Sequence, residues 1–126
     1  MTVRELIGGE VVSTQPKRAM REAIRIMTAQ VVGALVVEHD GVLSGILSER
    51  DVIRACAEDA DLDATTVDEW MTEDPDSLEP DVSVEDAAEW MLAAGYRHLP
   101  VVEGTRIVGM VSIKDVLWAL TDRAGV

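Results

Sequence analysis

Phenylalanine is absent, tyrosine occurs once and tryptophan three times, so aromatic residues make up only 3% of the 126-residue chain. Apolar residues still reach 48%, so a core must be built from Val, Ile, Leu, Met and Ala. Cysteine occurs once, at Cys56, which excludes an internal disulfide framework and a cysteine-based zinc site. Cys56 lies beside Val52 and Ile53 on an apolar helix face and reads as a core thiol. His39 and His98 are far apart and lack a carboxylate at ligand spacing, so no metal site is expected. Basic residues are scarce: 11 Lys and Arg against 24 Asp and Glu give a net charge of −13. Binding to a nucleic-acid backbone rests on Lys and Arg neutralising phosphates, and this balance argues against it. No apolar run approaches the roughly 20 residues of a membrane span. The opening Met1-Thr2-Val3-Arg4-Glu5-Leu6 lacks the layout of a signal peptide, so a soluble, cytoplasmic protein is expected. No Ser/His/Asp or Cys/His constellation, Walker loop or dinucleotide glycine fingerprint occurs, so the chain does not read as an enzyme.

The acidity is lopsided. Residues 1–55 carry seven basic and seven acidic side chains, whereas residues 56–126 carry four and 17 and hold the whole excess. From Glu58 to Glu89 there are 14 carboxylates and no Lys, Arg or His. This stretch reads as a solvated linker and an acidic helix start. A docking surface for a basic partner and adaptation to a salty cytoplasm are the alternatives, and in every case it repels anions.

Sliding the chain against itself by 64 residues aligns 1–62 with 65–126 without a gap and gives 16 identities. They include Thr2/Thr66, Val3/Val67, Glu5/Glu69, Pro16/Pro80, Ala23/Ala87, Met27/Met91 and Leu35/Leu99. The densest stretch is Gly45/Gly109, Ser48/Ser112, Asp51/Asp115, Val52/Val116 and Ala55/Ala119. The chain is a tandem duplication, with copies at 1–62 and 65–126.

Each copy reads alike. An extended stretch (Val11–Thr14; Asp76–Leu78) leads through a proline to a helix with apolar residues at helical spacing. These are Met20, Ala23, Ile24 and Met27, then Val84, Ala87, Ala88 and Met91. Ser83-Val84-Glu85-Asp86 has the form of a capping box. Two β-rich runs follow around a tight turn: 34–38 and 42–47 about Asp40-Gly41, then 99–102 and 106–111 about Glu103-Gly104. A second helix covers 49–57 and 113–121. The expected fold is α/β (α+β): tandem β-α-β-β-α repeats, packed sheet to sheet with pseudo-two-fold symmetry, because a 60-residue unit cannot bury its sheet alone.

Both copies carry Gly-x-x-Ser-x-x-Asp where the hairpin enters the second helix: Gly45, Ser48, Asp51 and Gly109, Ser112, Asp115. Ser-x-x-Asp before an apolar run is a helix cap in its own right. The same geometry suits a ligand. A helix N-terminus offers free N–H donors to a phosphate, and an aspartate one turn in can accept from vicinal ribose hydroxyls. The glycine allows a ligand or a neighbouring backbone to approach closely.

The duplicated unit, the paired Gly-x-x-Ser-x-x-Asp phrases and Tyr96-Arg97-His98-Leu99-Pro100-Val101-Val102 together resemble a CBS domain pair, or Bateman module. The resemblance covers nearly the whole chain. It implies a regulatory unit that is not an enzyme, has no obligatory cofactor, and binds an adenosine-containing ligand (AMP, ADP, ATP or S-adenosylmethionine) in a cleft between its repeats. By motif, Asp51 and Asp115 would hold ribose hydroxyls, with Ser48 and Ser112 near phosphate or ribose. Ser13, Thr14, Ser77 and Leu78 on the first strands, with Gly33, Ala34, Arg97 and His98 at the hairpin starts, would wall the site. Pro100, Arg50 and Lys114 complete the set. Copy one has Gly33-Ala34 where copy two has Arg97-His98, leaving Arg50, Arg54 or Lys17 to meet a phosphate there.

The leading expectation is a stand-alone adenine-nucleotide sensor acting on a partner protein, and the alternative is a ligand-free interaction and dimerisation module. A homodimer is expected because Val116-Leu117-Trp118-Ala119-Leu120 makes the last helix apolar all round, more than one core-facing stripe requires. The helices around 52–57 and 116–120 would lie at its interface.

Overall fold

The 64-residue register survives in the backbone. The computed structural model describes residues 1–8 and 11–125, with residues 122–125 followed in backbone only. The elements are β1 (Ser13–Thr14), α1 (Met20–Gln30), β2 (Ala34–His39), β3 (Val42–Ser48), α2 (Glu49–Ala57), β4 (Thr72–Glu73), α3 (Val84–Ala94), β5 (His98–Glu103), β6 (Arg106–Ser112) and α4 (Ile113–Gly125). Short 3-10 turns stand at Val3–Glu5 and Val67–Glu69. Each main helix and hairpin strand of copy two begins 64 residues after its copy-one counterpart. The architecture is therefore mixed α+β, as expected.

Contacts divide the chain into two compact units, Val12–Pro75 and Met1–Val11 with Asp76–Val126. In the copy-one unit β1 runs parallel to β2, β2 pairs antiparallel with β3, and β3 with β4. Strand alternation puts Thr14, Leu35, Val37 and Leu47 on one sheet face. Leu35, Val37 and Leu47 form a core with Met20, Ala23 and Met27 of α1, Ala55 of α2 and Val67. The copy-two unit repeats this: β5 pairs antiparallel with β6, Leu78 bridges to Val101 in parallel, and Leu99, Val101 and Val111 pack with Val84, Ala87, Met91, Val116 and Ala119. Ile24 is half-buried, at the edge of its helical stripe.

Three local details differ from expectation. The copy-two turn sits one residue later, because Glu103 ends β5 and Gly104 supplies the positive φ of 66°. In copy one Asp40 and Gly41 do so, at 52° and 79°. Helix α4 continues past residue 121 to Gly125. Cys56 is exposed and not a core thiol, because Ala55 occupies the buried line of α2 and the next residue lies about 100° round the helix.

The compact units are not the sequence repeats. The segment that opens each copy is docked in the other copy's unit. Val3 N–H donates to Val82 O (2.8 Å) and Arg4 N–H to Pro80 O (2.9 Å). Sixty-four residues on, Val67 N–H donates to Arg18 O and Asp68 N–H to Pro16 O, both at 2.9 Å. Val3 and Val67 are fully buried. These leader segments also explain the paired glycines. A Cβ on Gly45 would stand 2.6 Å from Thr72 O and 2.7 Å from Met71 Sδ, and one on Gly109 2.9 Å from the Ile7 side chain. Here the close approach foreseen for glycine is made by the leader.

The acidic stretch is partly spent inside the units. Asp63 accepts from Arg21, Asp68 from Lys17 and Asp81 from Arg4. No helix among the described residues is long and apolar enough to cross a membrane.

Candidate ligand-binding site

In each unit the hairpin's open end and the second helix's first turn bring most of the expected residues together. Ala34 pairs with Ser48 across β2 and β3, and His98 with Ser112 across β5 and β6. The helix entry is pinned to the hairpin start, since Glu49 N–H donates to Gly33 O (2.9 Å) and Ile113 N–H to Arg97 O (2.8 Å). Pro100 stands two residues along from His98 on the same strand face and is buried. Ser13, paired with Val36, shares the face of Ala34, whereas Thr14 points to the core face. Thr14 is 5% exposed and its hydroxyl has no hydrogen-bond partner. Its repeat-mate Leu78 is a core residue on the same face, so neither lies with the serines. Ser77 is exposed at the edge of its segment.

The capping boxes form in both copies. Ser48 N–H donates to Asp51 Oδ2 (2.8 Å) and Asp51 N–H to Ser48 Oγ (3.4 Å). In copy two, Ser112 N–H donates to Asp115 Oδ2 and Asp115 N–H to Ser112 Oγ, both at 3.1 Å. Only Oδ2 of each aspartate is used by the cap. Asp115 Oδ1 has no donor among the described residues, and Asp51 Oδ1 meets only Arg54, at 3.4 Å. A cap alone would need one oxygen. The second lies at the N-terminal end of a helix, on an exposed residue in Asp115 and a half-buried one in Asp51.

The cations are distributed unequally. Arg97 and Lys114 are exposed near the copy-two cap, and His98, the first residue of β5, is half-buried. In copy one Lys17 is bound to Asp68 (2.7 Å), and Arg54 donates to Trp70 O (2.9 Å) with its guanidinium 5.5 Å from the Trp70 ring centre. Arg50, in the first turn of α2, is exposed and has no hydrogen-bond partner among the described residues. Sequence reasoning missed the Arg54–Trp70 pair, and the lone tryptophan within an acidic linker was its only trace. Tyr96 donates its hydroxyl to Asp76, which pushes the phenol pKa above its usual value of 10.0. This contact ties the copy-two lead-in strand to the end of α3. On the helical side of the copy-one unit, Ile24, Met27, Val31 and Val52 line a shallow cleft of about 330 Å³.

Comparisons with known proteins fit this geometry. The CBS domain model matches twice, at residues 3–58 and 67–122. A CBS domain-containing protein of Bacillus subtilis is 34% identical over 116 residues, covering 91% of this chain and 82% of that protein. Among solved structures, a CBS-domain protein of Agrobacterium tumefaciens superposes with a TM-score of 0.87 at 32% identity, covering 95% of this chain and 99% of the other. A CBS domain protein of Pyrobaculum aerophilum, solved in complex with AMP, superposes with a TM-score of 0.86 at 27% identity, covering 97% and 99%. The chain belongs to the CBS domain family and carries that domain twice.

Proposed function

We propose that the chain is a non-catalytic regulatory module that binds an adenosine-containing ligand at its hairpin ends and passes occupancy to a partner protein. The observation that carries this reading is the spare Oδ1 of Asp115, a carboxylate oxygen the helix cap does not need, at the helix entry whose Ile113 N–H is bonded to the carbonyl of the exposed Arg97. It supports ribose hydroxyls on the aspartate and a phosphate on the arginine. The AMP carried by the Pyrobaculum aerophilum relative makes an adenine nucleotide the first ligand to try. In a protein of charge −13, an anionic ligand needs such a local cation, and copy two has the better supply.

Calorimetry with AMP and adenosine tests the reading. Asp115→Ala should cost on the order of 1 kcal/mol of stability as a lost cap and weaken AMP more than that. Asp51→Ala should do the same at the copy-one site. Arg97→Ala should weaken AMP far more than adenosine. Unchanged affinity in both aspartate variants would reduce these residues to caps. AMP at about 100 times its dissociation constant should add roughly 2.7 kcal/mol of stability. No shift with any adenine nucleotide or S-adenosylmethionine at millimolar concentration would leave the ligand-free interaction module.

A homodimer belongs to the same reading. Leu117 and Trp118 on α4 are 54% and 60% exposed, and Ile53 on α2 is 67% exposed. Large apolar groups on helices that already bury another stripe suit a second copy of the chain. Trp118→Glu should then convert dimer to monomer. Light scattering that finds the parent chain monomeric at tens of micromolar would defeat this.

A further inference from the structure

The two leaders read Thr2-Val3-Arg4-Glu5 and Thr66-Val67-Asp68-Glu69, identical at three of four positions. Their backbone docking is identical as well. Each forms the same pair of hydrogen bonds to the segment before the first helix of the unit that receives it, and Thr2 bridges to Ser83 as Thr66 bridges to Ala19. The backbone therefore does not distinguish the leaders. The one side chain that differs in sign does. Arg4 lies 3.4 Å from Asp81 and 2.8 Å from Glu103, while Asp68 lies 2.7 Å from Lys17. Asp81 and Lys17 are repeat-mates, as are Arg4 and Asp68, so the same bridge is built twice with its polarity reversed. Were each leader to dock on its own copy, Arg4 would face Lys17 and Asp68 would face Asp81.

We propose that the two units carry docking edges for an extended Thr-Val-x-Glu segment with opposite charge preferences. The edge with Asp81 and Glu103 takes a basic x, the edge with Lys17 takes an acidic x, and this sign rule is what sends each leader to the other copy's unit. Both bridges are attractive in the exchanged arrangement and both pairings are repulsive in the other. Specificity built from an attraction and a matching repulsion needs only modest energies at the surface. Leu6-Ile7 and Trp70-Met71 differ in size as well, so the test leaves them untouched.

The full-length chain is compared with R4D/D68R, with K17D/D81K/E103K, and with all five changes together, by urea unfolding. Each partial set turns both bridges into like-charge contacts, and the unfolding equilibrium constant should rise about 30-fold. The five-fold variant restores opposite charges and should recover most of that loss. Sodium chloride should stabilise the partial sets by screening the repulsion and slightly destabilise the parent. If a partial set fails to fold, Arg4→Gln with Asp68→Asn provides a neutral version whose loss should be smaller and insensitive to salt. A disulfide pair in a Cys56→Ser background then reads leader position. T2C/S83C should cross-link readily in the parent, and T2C/A19C, which traps the minor fraction of leaders docked on their own copy, should cross-link faster in R4D/D68R than in the parent. A five-fold variant no more stable than the partial sets, or T2C/A19C cross-linking as fast in the parent, overturns the rule.

Discussion

Copy one ends α1 on Val31 and copy two ends α3 on Gly95, at the same register position and with the same left-handed backbone. Val31 has φ 55° and is 88% exposed, while Gly95 has φ 77°. Each residue donates its N–H to the carbonyl four back, Met27 or Met91. A β-branched residue thus holds a conformation suited to glycine, with no burial to offset the strain. Around the second helices the copies part again. Asp51, Arg54 and Trp70 form a connected cluster in copy one, whereas Asp115, Trp118 and Leu6 stand at the same positions in copy two. Asp51 is correspondingly half-buried and Asp115 exposed. The lesson is that helix-end conformation, sheet register and the positions that are buried were kept through the duplication, even where the residues changed. Divergence is concentrated where a leader or solvent meets the unit.

The largest test of that comparison lies in the paired glycines. A methyl on Gly45 meets a backbone carbonyl, Thr72 O, which moves only if β4 moves. A methyl on Gly109 meets the Ile7 side chain, nearest at Cβ and Cγ2, 2.9 Å away, and there a leader residue has to shift rather than a strand carbonyl. Gly45→Ala should therefore cost about 3 kcal/mol and Gly109→Ala about 1, the two ends of the usual overpacking range. Urea denaturation of both variants gives the difference. Equal losses would mean that leader backbone and leader side chain yield alike.

A smaller effect, opposite in sign between the copies, is expected at the helix ends. Left-handed backbone costs a residue with a Cβ roughly 1–2 kcal/mol, and glycine gives back about 0.5–1 through its freer unfolded chain. Val31→Gly should therefore raise stability by about 0.5–1 kcal/mol, and Gly95→Val should lower it by about 1–2. Thermal melts of both would decide it. A destabilised Val31→Gly would show that the valine makes contacts worth more than its strain.

What the sequence made legible follows from the same contrast. The repeat at 64 residues placed every main helix and hairpin, because apolar spacing and turn residues are local signals read twice. Leader exchange was not legible. Val3 and Val67 look alike, and the charges beside them, Arg4 and Asp68, point to a unit only once Asp81, Glu103 and Lys17 are known to stand at the docking edges. The resemblance assigns Thr14 to the site as a first-strand residue. Strand alternation turned it to the core face, where its mate is the plainly apolar Leu78. Cys56 is exposed although its neighbours Val52 and Ile53 are apolar, since one step round a helix separates the buried line from the exposed one.

The smallest expected effect is a difference in acid tolerance. Three carboxylates of the copy-one unit are held below their ordinary pKa values. Asp63 is lowered by its hydrogen bond from Arg21, Asp68 by those from Lys17 and then Thr66, and Glu69 by those from Thr65 and Thr66. The unfolded chain titrates these groups near 3.8 for the aspartates and 4.5 for the glutamate. A carboxylate with a depressed folded pKa binds fewer protons when folded. Its stabilisation is complete above the unfolded value and drains away as pH falls through the folded one. Nothing should therefore change through these groups between pH 7 and pH 5. Below about pH 4 the Thr65–Met71 leader should loosen from the copy-one unit. The Trp70 indole N–H, which donates to Thr65 Oγ1 at 2.8 Å, reports this directly by nuclear magnetic resonance. Its signal should shift in that acid window, and in Lys17→Met the shift should begin at higher pH because Asp68 has lost its main partner. An indole signal constant down to pH 3, or one that moves identically with and without Lys17, would detach acid sensitivity from the leader.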